Sequence, residues 1–565
     1  MKLISPLTFF LGTVALIAYK LVQIRIAKRR HNVEAARRGC GAVPMLPKKD
    51  MLGMGRFFES LKATKEERGP IYVMNTMDAM SKNIHTVQVR VLDYDLLVTR
   101  DPENVKAVFG TQAPEFDIGV HRTQSWKPLL GVGIFTSQGE QWKHSRALVR
   151  PQFSREQVSD LDLAEKHTKE LSNRLLPGQD GWTGTVDLQP FLYNFALDTV
   201  TEFIYGHSVY TQNPSARSQL PILKGIDSPD RAGLGPHLDA GKYWIETRGA
   251  FYKWYWLMTS KAFDEHCAEV HKFVDWFVQV RLRRGPQPTE STNKKKFILL
   301  DELAQETQNP LELRNETLSI MFAGRDTTGA LLGWVFYFLA RHPAVYAKLR
   351  STILAQFGTD HNSTADISFA KLRVCHYLNY CINETFRVAA VIPLNERVAA
   401  QDTTLPRGGG PDGKQPIFVP KGRQVLIATY AMQHRADIWG DDVEEFRPER
   451  WEGRKVGWEF IPFGAGPRMC LGREYPFHST RIDCAGTVGG IQQVANTWVQ
   501  NNSPSWRPQS LSSASCSASI KSKTWSPQGR SNCIMRLRTA VGLGFRLDFM
   551  KRKEKGRGYE IISMA

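Results

Sequence analysis

A mainly α-helical protein with a small β-sheet region is the fold class this sequence predicts, and three observations predict it. Apolar residues recur with a helical period over several long stretches. Period-2 alternation is confined to a few short ones. The content, 42% hydrophobic and 23% charged over 565 residues, is that of a globular chain with a large core. The strand-like stretches are 85–92 and 96–99, followed much later by 417–419 and 425–429, which read as a pair around Pro420 and Gly422. The helical stretches are 102–109, 139–150, 155–175, 186–205, 252–283, 313–340 and 345–357. No Gly/Ser-rich or Pro-rich linker divides residues 40–472, so 55–472 reads as one large domain.

The net charge of +18 would suit a nucleic-acid binder if it lay on one face, but it is concentrated at the chain ends. Residues 1–38 carry 8 basic and 1 acidic side chains, net +7, and residues 473–565 carry 14 basic and 5 acidic, net +9. The 434 residues between are left with +2, which argues against nucleic acid as a partner. Eight cysteines in so long a chain make no disulfide framework and suit a reducing compartment with one or two special thiols.

Residues 3–19 are almost wholly apolar, and the apolar character continues past Lys20 through Leu21, Val22 and Ile24. Residues 1–25 therefore read as a retained transmembrane signal anchor of roughly 20 residues, and 26–54 as a basic, proline-containing linker. A cleaved signal peptide would have its basic cluster before the apolar run; here Lys20, Arg25, Lys28, Arg29 and Arg30 follow it. That asymmetry keeps the bulk of the protein in the cytosol, single-pass on an internal membrane.

Stretch 313–340 is apolar nearly all round, as a helix running through an interior must be. Within it lie Arg325, Asp326, Thr327 and Thr328, polar groups at a depth where each needs a partner; a locally satisfied hydroxyl is the bland alternative. The sharpest signal is 463–472, Phe-Gly-Ala-Gly-Pro-Arg-Met-Cys-Leu-Gly. Three glycines and a proline build a loop almost free of side chains, presenting the single sulfur of Cys470.

Taken with Glu384-Thr385-Phe386-Arg387, with 446–451 (Phe-Arg-Pro-Glu-Arg-Trp), with the 313–340 helix and with Trp142 and Arg146, this loop resembles the signature of the cytochrome P-450 superfamily of haem-thiolate monooxygenases. The resemblance implies the P-450 fold behind the anchor, and haem b as cofactor. It implies Cys470 as the axial thiolate, whose electron donation favours O–O cleavage. Trp142, Arg146, Arg397, Phe463, Gly464, Arg468 and Gly472 would hold the cofactor, the arginines through the propionates, for which a planar guanidinium fork is suited. Glu384, Arg387 and Arg450 would form a buried charge network behind the loop. Asp326 and Thr327 would deliver the protons that oxygen activation consumes.

The chain has no nucleotide-binding glycine fingerprint, so electrons would come from a separate flavoprotein. For a membrane-anchored member of this superfamily the resemblance implies NADPH-cytochrome P-450 reductase of the same membrane, the endoplasmic reticulum. Stretches 142–154 and 402–410 resemble the fungal microsomal branch that hydroxylates n-alkanes and fatty acids at the terminal carbon. That branch implies a small apolar substrate in a pocket bounded by Phe116, Trp126, Leu129, Leu130, Phe322 and Ala323, though plain core is an equal reading of these side chains. Some animal fatty-acid hydroxylases carry a haem-esterifying glutamate where this chain has Ala323, so the haem expected here is not covalently attached.

After Gly472 the resemblance stops. Residues 473–565 form an atypical basic tail with 10 serines in 501–530, where the family places a helix along the haem. If residues 501–508 were encoded AAC AAT TCG CCC TCG TGG AGG CCG, reading from the third base would give Gln-Phe-Ala-Leu-Val-Glu-Ala, close to that helix. The tail therefore reads as intron-derived up to about residue 500 and out of frame beyond. Two alternatives to the alkane or fatty-acid hydroxylase stay open: a tailoring hydroxylase of secondary metabolites, and a non-catalytic, misassembled product.

Overall fold

The structure, a computed structural model, describes residues 6–47, 50, 53–92, 94–153, 161–175, 186–215, 229, 232–285, 297–357 and 368–473, together with three short antiparallel strands at Cys533–Ile534, Met550–Arg552 and Tyr559–Ile561. The rest of the 473–565 tail lies outside the described residues. The chain separates into two compact units, each drawn from discontinuous segments: a sheet-bearing unit of Met1–Thr123, Arg387–Glu445 and Arg454–Cys470, and a helical unit of Gln124–Phe386, Phe446–Gly453 and Leu471–Ala565.

The sheet-bearing unit opens with helix Pro6–Arg37, which runs without a break from the apolar stretch into the basic one. Among the described residues no helix is long and apolar enough to cross a membrane. The five-stranded sheet has the order β1 (Thr86–Val91), β2 (Tyr94–Thr99), β7 (Gln424–Ile427), β4 (Asn395–Ala399) and β3 (Phe116–Asp117), while β5 (Thr403–Gly409) and β6 (Gln415–Val419) form a separate hairpin. The expected pairing of 417–419 with 425–429 is thus corrected. β6 pairs antiparallel with β5, and β7 pairs parallel to β2 and antiparallel to β4. The alternating pattern identified the strands, but the partner of β7 lies more than three hundred residues upstream, and no local pattern can name it. Leu97, Val105, Phe109, Phe116, Ile417, Val425 and Ile461 fill the core of this unit.

The helical unit is organised around helix Pro310–Arg341, 32 residues long. It begins at Asn309, whose side chain accepts from the backbone N–H groups of Leu311 and Glu312, with Pro310 at the first helical position. Helix Leu188–Tyr205 lies along it so closely that Gly324 faces Val200 and Gly329 faces the Tyr193 ring, where any Cβ would clash. The expected single helix 252–283 is two elements. A 3₁₀ turn, Tyr252–Leu257, precedes helix Lys261–Arg284, because Ser260 caps the latter by accepting from the Phe263 N–H at 3.2 Å. Helix Leu234–Ala250 escaped the periodicity because its buried face carries Gly235, Gly241, Lys242 and Arg248 among the apolar residues. Leu129, Phe203, Phe263, Phe273, Trp276 and Leu318 form the largest core cluster.

Candidate functional site

In the sheet-bearing unit the chain 463–470 folds as a tight loop. The Cys470 N–H donates to the Phe463 carbonyl at 3.0 Å and the Gly464 N–H to Ile461 at 3.0 Å, while Gly464 and Gly466 have φ near +68° and +69°. Gly466 is dictated by space as well as by φ: a Cβ there would sit 1.5 Å from the Phe109 carbonyl oxygen. The result is a loop closed on its own backbone that leaves the Cys470 thiol exposed.

Beside it in the same unit are three arginines. Arg468 reaches the Asp117 carboxylate at 3.4 Å, and Arg397 lies over the Phe109 ring at 4.7 Å while donating to the Glu396 carbonyl at 2.7 Å. Burial, and then the guanidiniums of Arg122 and Arg468, push Arg397 down to about 9; burial also lowers Arg122. At Arg397 the burial and the neighbouring guanidiniums outweigh the opposing Glu396 and Asp117 carboxylates, so an anionic ligand there would be favoured.

In the helical unit, the long helix is buried over most of its length, but Phe322, Ala323, Gly324 and Thr327 are less so and mark one stripe of it. Thr327 Oγ donates to the Ala323 carbonyl at 2.7 Å, the back-bond that satisfies a hydroxyl inside a helix. Asp326 points into a charged network: Lys242 Nζ donates to its Oδ2 at 2.9 Å and Arg325 to its Oδ1 at 3.0 Å. Arg325 also forks onto both oxygens of Asp239, at 2.6 and 3.0 Å, and stacks over the Tyr193 ring at 5.0 Å. Burial pushes the Glu246 carboxyl, one turn from Lys242, up to about 8; the Lys242 ammonium opposes the shift, and Asp326 and Asp239 add to it.

Glu384, fully buried, accepts from Arg450 Nε at 2.8 Å, Trp451 Nε1 at 2.9 Å and the Arg447 backbone N–H at 3.0 Å. Arg387, one turn on and also fully buried, donates to the carbonyls of Gln433, Val443 and Glu445. Arg146 stacks over Trp142 at 5.7 Å. Trp126 stands edge-on to Phe322 at 5.9 Å with Phe135 behind it at 6.5 Å, and Leu129 is wholly buried against Gly241.

The expected residues therefore fall into two sets. Phe116, Arg397, Phe463, Gly464, Arg468 and Cys470 belong to the sheet-bearing unit, and Trp142, Arg146, Trp126, Leu129, Phe322, Ala323, Asp326, Thr327, Glu384, Arg450 and Gly472 to the helical one. Sequence reasoning missed Lys242, Asp239, Glu246 and Arg122. The first three share helix Leu234–Ala250, whose charged inward face was the one available signal.

Residues 63–475 match the family model described as cytochrome P450. The chain is 42% identical over 469 residues, 81% of its length and 80% of the relative, to "Cytochrome P450 monooxygenase g430" of Fusarium sp. It is 38% identical over 441 residues to "Cytochrome P450 52A12" of Debaryomyces hansenii, covering 77% and 83% of the two chains. A crystal structure of the cytochrome P450DA heme domain superposes with a TM-score of 0.61 at 18% identity, over 79% of this chain and 90% of that one, and so shares the fold.

Proposed function

The chain belongs to the cytochrome P450 family of haem-dependent monooxygenases, and from that premise we propose that it hydroxylates an unactivated aliphatic C–H bond, at the terminal carbon of an n-alkane or fatty acid. One oxygen atom of O2 enters the C–H bond and the other leaves as water, a balance that consumes two electrons and two protons. When bound, haem supplies the iron chemistry that activates dioxygen.

The residues present fit that group. An exposed thiol on a tight glycine-containing loop suits a sulfur ligand. The Arg122, Arg397 and Arg468 guanidiniums, gathered in one unit, suit propionates. Cys470 would be the ligand, held by the Phe463 and Gly464 turn. Arg397 and Arg468 of the sheet-bearing unit would hold carboxylates, and the family resemblance assigns Trp142 and Arg146 of the helical unit to cofactor binding. Gly472 would close the loop. Asp326, held by hydrogen bonds from Lys242 and Arg325, would pass protons inward, and the Thr327 hydroxyl would hold the last proton donor in place. Glu384, Arg387 and Arg450 would keep the surrounding scaffold fixed.

The observation that supports the aliphatic reading is the aromatic cluster of Trp126, Phe135 and Phe322, next in the chain to Ala323 on the stripe that ends at Thr327. Uncovered apolar side chains on Pro6–Arg37, Leu11 at 56%, Val22 at 52% and Ile24 at 61% exposure, support seating in the endoplasmic reticulum membrane, where a reductase supplies the electrons. Titrating the haem-loaded protein with long-chain fatty acids, n-alkanes and polycyclic compounds, then identifying products with reductase and NADPH, tests this reading. Spectral binding of the linear chains and a terminal alcohol are the expected results. Binding of polycyclic compounds alone would transfer the protein to secondary-metabolite tailoring.

A further inference from the structure

Helices Leu161–Arg174 and Leu188–Tyr205 face each other with His167 and Glu170 on one and Asp198 and Glu202 on the other, spaced i,i+3 and i,i+4 so that each pair shares a face. His167 Nδ1 lies 3.1 Å from Glu170 Oε2, and its Nε2 lies 3.0 Å from Glu202 Oε2, which also takes Lys166 Nζ at 2.6 Å. One donor atom each from His167, Glu170 and Asp198 lie within 4.8 Å of one another. Three carboxylates, two of them buried, face one lysine and one imidazole, so the cluster has room for cationic charge.

A second observation points to a ligand. Gln212, 5% exposed, donates its backbone N–H to Asp198 at 2.8 Å and its side-chain Nε2 to the His167 carbonyl at 3.5 Å, which holds the carboxamide against the backbone of the cluster's histidine. Its Oε1, a buried acceptor, has no hydrogen-bond partner among the described residues. A buried amide oxygen left unmatched beside this cluster can take a cation.

We propose that His167, Glu170 and Asp198, with the Gln212 carboxamide oxygen, form a binding site for a divalent cation of the zinc class. None of these residues belongs to the oxygenase motifs. Zinc bonded at about 2.0–2.2 Å in a tetrahedron requires donors about 3.4 Å apart, close to the 3.1 Å between His167 Nδ1 and Glu170 Oε2, with the Asp198 donor within 4.8 Å of both. Glu202 plays the positioning part: by accepting from Nε2 it fixes the imidazole tautomer that turns the Nδ1 lone pair toward Glu170, the carboxylate–histidine–metal arrangement. A bound cation would tie the two helices together at the end where Asp198 also holds the Thr211 and Gln212 N–H groups.

The test uses the full-length, haem-loaded protein without a histidine tag, stripped with chelator and dialysed against zinc chloride, with bound metal counted by mass spectrometry. Two substitutions are compared: H167Q, and E170Q, whose half-buried site leaves folding untouched. The wild type should bind one equivalent more than either variant, E170Q should need at least about tenfold more zinc, and zinc should raise the wild-type melting temperature alone. Equal zinc binding by wild type and E170Q, or none by the wild type, would overturn the site and leave a closed ion-pair network only.

Discussion

Lys242 Nζ stands 2.9 Å from Asp326 Oδ2, both side chains less than a tenth exposed, so the carboxylate of the oxygenase helix is held by a lysine from a different helix. With Arg325 on the other oxygen, Asp326 carries two cationic partners, and removing one leaves a buried charge half-compensated. Lys242→Met should destabilise the protein by about 3 kcal/mol in urea unfolding and slow product formation more than it weakens substrate binding. An unchanged unfolding midpoint would show that Arg325 alone satisfies the aspartate.

Thr327 offers a second, independent lever. Its hydroxyl is back-bonded to the Ala323 carbonyl at the half-exposed end of the stripe, so removing it costs little in packing. Thr327→Ala should bind haem and substrate as the wild type does, while product per NADPH consumed falls about tenfold or more and peroxide accumulates. Thr327→Ser should restore most of the coupling. Undiminished coupling in the alanine variant would remove the threonine from proton delivery.

The central helix and the sulfur loop were legible in the sequence because each breaks an expectation of ordinary cores: polar residues in an all-apolar helix, and glycines around a lone cysteine. The Gly464 and Gly466 backbone and the Phe109 approach turn that pattern into geometry. The partners were not legible. Lys242 and Arg122 meet Asp326 and Arg397 only through the fold, and a periodicity reading discounts a helix that buries lysine and arginine. The Glu384–Arg450 pair spans more than sixty residues of chain and came from the family resemblance alone.

Glu384 accepts three hydrogen bonds with no exposure, so Glu384→Ala leaves Arg450 and Trp451 without their acceptor in the interior. A loss of about 3–5 kcal/mol is expected, enough to remove much of a domain's net stability. The recombinant variant should accumulate as haem-free or aggregated protein, measured as haem per chain. Glu384→Gln, which keeps the acceptor oxygen, should retain a larger share.

Glu246 sets a pH dependence whose sign is the reverse of the usual carboxylate. Its folded value, about 8, lies above the unfolded 4.5, so the folded state holds a proton that the unfolded state releases. The stability tied to this group is fully present below 4.5 and is lost as pH rises toward 8. Glu246→Gln cannot titrate, so its melting temperature should match the wild type near pH 5 and exceed it increasingly up to pH 8. A difference that does not vary with pH would place the Glu246 carboxyl in solvent contact.

Everything proposed for catalysis depends on Cys470 ligating haem iron through its sulfur. The direct measurement is the carbon monoxide difference spectrum of the reduced, haem-loaded protein beside that of Cys470→Ser. A strongly red-shifted band in the wild type, absent from the serine variant together with hydroxylase activity, is the predicted result. The same band and the same activity in both proteins would contradict it.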